Sequence, residues 1–182
     1  MVSETPPDDY RLLVPRDWFR IDLCQDRWRP QLKLYADRRA AAHRMPSATR
    51  AELWKALRNV TEAGVAKGAL EIYLRADTAE SAVTPVSLLV SLMATGELPG
   101  GGVDSLAELL AGRHPAATVT RPEHPAGPAV LVTTAESLDL YVEIPGHRGF
   151  LHLSFRIPVS GSTGPMGELC RAIGDSLRWS RT

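Results

Sequence analysis

The stretch from Leu138 to Ile157 constrains the fold more than any other part of the chain. Leu138, Leu140, Val142 and Ile144 recur at every second position, as do Leu151, Leu153, Phe155 and Ile157, with Pro145-Gly146-His147-Arg148-Gly149 between the two runs. Period two is the repeat of a β-strand with one apolar face, and a short Pro/Gly-rich segment between two such runs is a hairpin connection. Two strands cannot bury that face alone, so the rest of the chain must supply more sheet and a layer to cover it. With Ile144 opposite Leu151, Glu143 stands beside His152 and Asp139 beside Arg156, two favourable cross-strand pairs. A register shifted by two places Tyr141 beside His152 instead.

The remaining segments supply those parts. Leu12 and Val14, then Phe19, Ile21 and Leu23, alternate about Pro15-Arg16-Asp17, which predicts an opening hairpin. Trp28, Leu32, Tyr35, Ala36, Arg39 and His43 recur at helical spacing from about 27 to 44, with Asp26 as N-cap and Pro30 in the first turn. Met45-Pro46-Ser47 breaks that helix. Thr49-Arg50-Ala51-Glu52 reads as a capping box opening a second, with Leu53, Leu57, Val60 and Gly64 along one stripe and Gly68 at its end. Strands follow at Leu70–Leu74 and Val86–Leu92, then a Gly-rich loop from Thr95 to Gly102 and a short helix announced by Ser105-Leu106-Ala107-Glu108. Further strands are expected at 117–120 and 129–133, and a closing helix runs from Gly164-Pro165 through Met166, Leu169, Cys170, Ile173 and Leu177 to Trp179. The order is α+β: an antiparallel β-sheet of about six to eight strands, an N-terminal hairpin plus meander, packed against helices in a single domain, 10–180, behind a leader, 1–9. Alternating strands imply one packed and one solvated face.

Charge narrows the function classes. The 21 basic and 21 acidic side chains cancel, and the pI is near 7.0, so no global field draws the protein to nucleic acid or an anionic membrane. Residues 10 to 58 nevertheless hold 12 Lys or Arg against 5 Asp or Glu, so attraction to a partner must be local. The Arg-rich third could offer a nucleic-acid face, a second alternative that lacks any recognition motif. There is no apolar run of membrane-spanning length and no secretion signal at the N-terminus, which makes the cytoplasm the expected location.

Chemical motifs are absent. None of the five histidines has Glu-x-x-His or His-x-x-x-His spacing, Cys24 and Cys170 form no Cys-x-x-Cys, and no metal or cofactor is expected. Gly161-Ser162-Thr163-Gly164 lacks the spacing of a nucleophile elbow, and Gly100-Gly101-Gly102 lacks the Lys and Ser/Thr of a phosphate loop. No catalytic residue is assigned.

The opening Tyr10-Arg11-Leu12-Leu13-Val14-Pro15-Arg16-Asp17-Trp18, the long meander, and Phe155-Arg156-Ile157-Pro158 leading to Ile173-Gly174-Asp175-Ser176-Leu177-Arg178-Trp179 resemble the PsbP-like family of α+β sandwiches. The resemblance implies a non-enzymatic adaptor, assembly factor or chaperone. The Arg- and Ala-rich style is also similar to that of actinobacterial proteins, some of which sit near specialised secretion systems. The expected function is therefore a protein-interaction module with an acidic protein partner, or a second copy of itself. Its candidate contact residues are Trp28, Arg29, Arg38 and Arg39 on the first helix and Tyr73, Tyr141, His152 and Arg156 on the wetter sheet face. The alternative is a small-molecule or enzymatic site between the sheet and the helices.

Overall fold

The computed structural model describes residues 6–75, 84–94, 96, 101–146 and 149–181. Along the chain run β1 (Asp9–Arg11), β2 (Phe19–Asp22), α1 (Trp28–Ala42), α2 (Ser47–Ala66), β3 (Ala69–Arg75), β4 (Val86–Met93), α3 (Gly102–Arg113), β5 (Thr118–Thr120), β6 (Ala129–Thr133), β7 (Ser137–Glu143), β8 (Phe150–Arg156), α4 (Pro165–Asp175) and β9 (Arg178–Ser180). Seven strands form one antiparallel sheet in the order β2-β3-β4-β8-β7-β6-β5, and β1 pairs with β9 in a separate ribbon. The expected α+β fold with an antiparallel sheet and covering helices is what forms. No described helix is long and apolar enough to cross a membrane.

The sheet is the middle layer of three. On its first face, Val86, Leu88 and Val90 of β4, Leu138, Leu140 and Val142 of β7 and Leu151, Leu153 and Phe155 of β8 are buried beneath Met166, Cys170 and Ile173 of α4 and the Trp18 indole. Burying an aliphatic side chain contributes about 1.5–3 kcal/mol, so this alternating set is the principal source of stability. The second face is shared. Trp28, Leu32, Leu53 and Leu57 of α1 and α2 pack on Ile21, Ile72 and Leu74, while Leu106 and Leu110 of α3 pack on Val130, Val132, Tyr141 and Phe150. Leu89 and Met93, the second apolar set of β4, belong to these two clusters.

Several expectations differ from the structure, the first of them at α1, which opens at Arg27 with no side-chain cap from Asp26. The opening hairpin does not form: β1 crosses to Arg178–Ser180, with Tyr10 opposite Trp179, and β2 adds to the sheet edge against β3. The closing helix stops at Asp175, and Arg178-Trp179 extends into β9 to meet β1. The two capping boxes lie inside their helices. Pro46, extended at ψ 152°, starts α2, and Gly101 and Gly102, at φ 63° and 78°, start α3; fixed or left-handed backbone sets the entry where no side chain caps. The last difference concerns the wetter sheet face, which is covered along β7 and open at Arg156 of β8. Every residue of β7 is buried, with Asp139 bonded to His152, Ser154 and Arg156 of β8.

The two cysteines differ accordingly, Cys24 being exposed and Cys170 fully buried on the inner face of α4. Thiol titration with Ellman's reagent is expected to count one group in the native protein and two in denaturant. Two rapidly reacting thiols in the native state would show that α4 is not seated as described.

Candidate functional site

Between the α1/α2 cluster and the α3 cluster, the second face of β4, β8 and β7 is polar. The register stacks three rows across it. Ser87, Arg156 and Ser137 form one row, Leu89, Ser154 and Asp139 the next, and Ser91, His152 and Tyr141 the third. Val142 lies opposite Leu151, so the β7–β8 pairing is the one that sets Tyr141 beside His152. The register with Ile144 opposite Leu151 is thereby overturned. Glu143 stands opposite Phe150, and Asp139 meets Arg156 on the diagonal.

Asp139 organises the group. Its carboxylate accepts from His152 Nε2 at 3.0 Å, Ser154 Oγ at 2.7 Å and Arg156 Nη1 at 3.0 Å. Burial pushes the Asp139 carboxyl up, but the hydrogen bonds from His152 and Ser154 and the charge of Arg156 outweigh it and hold the group below its ordinary range. A carboxylate only accepts, so the proton of His152 toward Asp139 lies on Nε2, and Nδ1 faces the Ser91 hydroxyl at 3.5 Å. The imidazole is stacked flat on the Tyr141 ring, centroids 4.1 Å apart and planes 4° from parallel. Burial, and then the charge of Asp139, push the Tyr141 phenol up to about 12.

Hydroxyl, imidazole and carboxylate in line have the composition of an acyl-transfer relay. However, the Ser91 contact is at the outer limit of hydrogen bonding, and Asp139 is shared among three donors. The geometry holds an imidazole and a guanidinium in place. More than half of the Arg156 side chain remains exposed, at 55%, against 13% for Asp139. Arg113, at the end of α3, lies near enough to act electrostatically on Tyr141, which places a second cation beside the strip.

The candidate contact residues fall into three places. Tyr141, His152 and Arg156 come together in this strip. Tyr73 is on the opposite face, half-buried against the first core. Trp28 is buried in the second core and offers no free surface; Arg29 stacks on its ring at 4.7 Å and reaches Glu62 at 3.4 Å. Arg38 is exposed and Arg39 half-buried on α1. Ser91 and Ser154 were not anticipated, since single serines within strands carry no pattern of their own.

Other chemistry is sparse. Among the described residues no group of three or more His, Cys, Asp or Glu is placed to hold a metal ion. The cavity between α2 and the sheet, lined by Leu57, Val60, Ile72, Leu74 and Arg156 among others, measures about 160 Å³, below the range of ordinary ligand sites. Comparison with known proteins adds no identity. The chain matches no protein-family model, no curated protein and no solved structure.

Proposed function

We propose that the chain is a non-enzymatic interaction module that docks an acidic segment of a partner protein along the polar strip between α2 and α3. The observation that carries this reading is Arg156, which is anchored through one nitrogen to a buried carboxylate while most of its side chain faces solvent. An arginine held in this way loses little rotamer freedom on binding and keeps N–H groups to meet a carboxylate. Arg113 adds a second cation and the stacked Tyr141–His152 pair gives a flat floor, the Arg and aromatic chemistry in which interfaces are enriched. The PsbP-like layout of the sequence supports the same class of role. An adaptor or chaperone in a bacterial assembly or secretion pathway fits a module of this kind.

Capture from the native host tests it, comparing wild type with Arg156→Glu and Arg113→Glu, and with Arg38→Glu on α1 as control. An acidic protein is expected to be enriched by wild type and by the control, to fall at least about tenfold with either strip variant, and to be released by rising salt. Equal enrichment by all four proteins would remove the reading, as would the absence of any acidic protein. Light scattering of the purified chain checks the competing occupant, a second copy.

A further inference from the structure

We propose that a cavity between α4, the loop before β6 and the first face of the sheet binds a compact uncharged molecule built on a single hydrocarbon ring. The site is on the opposite side of the sheet from the acidic-partner strip and rests on separate observations. The cavity measures about 220 Å³ and is lined from β6, β7, β8, α4 and the loop before β6. That is less than the roughly 300–1,000 Å³ of pockets for larger ligands and more than the roughly 150 Å³ in which an apolar cavity holds benzene. One ring is the body it fits.

Its floor is a continuous apolar patch. Leu131 stands opposite Leu140 and Leu138 opposite Phe155 on neighbouring strands, so these side chains share the first face. Leu140 and Phe155 reach the helix at the cavity itself: a methyl group on Gly174, which also lines it, would come within 3.0 Å of Leu140 Cδ2 and 4.0 Å of Phe155 Cε2. Leu131 is left half-buried and gains cover when a ring enters. The loop wall is preformed. His124, its side chain only 1% exposed, accepts the Ala126 N–H on Nδ1 at 3.1 Å and donates from Nε2 to the Gly174 carbonyl at 3.1 Å, which fastens the loop carrying Pro122 and Glu123 to the end of α4. That carbonyl also accepts from Leu177 N–H at 3.0 Å, and Arg171 Nη1 donates to the Ser162 carbonyl at 2.9 Å. Glu123 and Asp175 are exposed. A charged guest would give up its hydration over an apolar floor, which is costly. The large apolar side chains left exposed among the described residues, Leu13, Leu34, Val60, Leu92 and Val159, do not line this cavity. A protein hot spot lies within a wider water-excluding contact area; an apolar chamber that opens among exposed charged side chains is the anatomy of a small-molecule pocket.

The test is titration of methyl-labelled full-length protein with toluene, reading the leucine resonances. Toluene is expected to shift Leu131 and Leu140 and to leave Leu53, in the second core, unmoved. Benzoate and benzylammonium, the same ring carrying a charge of either sign, are expected to bind at least about tenfold more weakly. Leu131→Phe, which enlarges a half-buried side chain on the cavity floor, is expected to weaken toluene at least about tenfold by taking up its space. Equal binding of toluene and either charged analogue would overturn the proposal, as would an unchanged affinity in Leu131→Phe, a Leu53 resonance that moves in step with Leu131, or silent Leu131 and Leu140 resonances up to the solubility limit of toluene. N-acetyl-phenylalaninamide is the arm for a protein side chain; if it binds as tightly as toluene, the cavity belongs to a partner protein and the small-molecule assignment fails.

Discussion

Gly167→Ala is expected to destabilise the protein by about 3 kcal/mol or more, the upper range for forcing atoms into a packed site. Gly167 lies in the first turn of α4, where a methyl group would overlap the Ser162 carbonyl oxygen and come within 3.0 Å of Ser162 Cα. The loop cannot yield. Ser162 N–H donates to Ala135 O at 2.8 Å, its hydroxyl donates to Thr134 O, and its carbonyl accepts from Arg171 Nη1 at 2.9 Å. Relief therefore requires α4 to lift, which uncovers Met166, Cys170 and Ile173 from the first core. Gly112→Ala in α3 is the matched control. Its added methyl meets nothing within 4 Å, and the change is expected to be neutral or to stabilise by up to about 1 kcal/mol through helix propensity. Chemical denaturation of both variants checks the pair; similar midpoints would mean that α4 does not close on the 160–162 loop.

Asp139→Ala is expected to cost about 2–3 kcal/mol, because it strips the acceptor from the buried Ser154 hydroxyl and from His152 and Arg156 at once. The latter two are partly exposed and recover some solvation, which keeps the loss below that of a fully buried pair. In a chain of this size that corresponds to a melting point lower by roughly 5–10 °C. The pH dependence has a definite sign. Because the folded state holds the Asp139 carboxyl below its ordinary value of 3.8, its contribution is fully present above that value and fades as pH falls through the lower, folded-state value. The gap between wild type and variant should thus be constant near neutrality and narrow only in acid below 3.8. A gap that narrows between neutrality and pH 5 would mean that some other group carries the effect.

Much of the sheet is legible in the sequence, and the reasons for the remainder are physical. The strands β4, β7 and β8 announce themselves because one alternate set of positions is uniformly apolar. Their register does not, since a shift of two residues keeps every side chain on its own face and only exchanges neighbours; the charge pairing of Glu143 with His152 favours one register, and the structure takes the alternative, with Tyr141 beside His152. The closing Arg178-Trp179-Ser180 has no strand pattern, and its pairing with Tyr10 joins opposite ends of the chain. The polar second face looks wet in the sequence because alternation reports polarity and not what satisfies it. Asp139, His152, Ser154 and Arg156 satisfy one another, which no periodicity distinguishes from solvation. For the same reason the sequence shows the strip only as three scattered candidates, Tyr141, His152 and Arg156, and does not distinguish Trp28, which packs in the core, from a surface aromatic.

The β1–β9 ribbon has a kinetic corollary. Strands so distant in sequence can zip together only after the central sheet has brought them near, because closing a long loop is entropically unfavourable until other contacts have shortened it. The ribbon should therefore be the last part to lock and the first to come loose, with the amide of Asp8, which donates to Ser180 O at 3.2 Å, exchanging by local opening well below the global unfolding free energy.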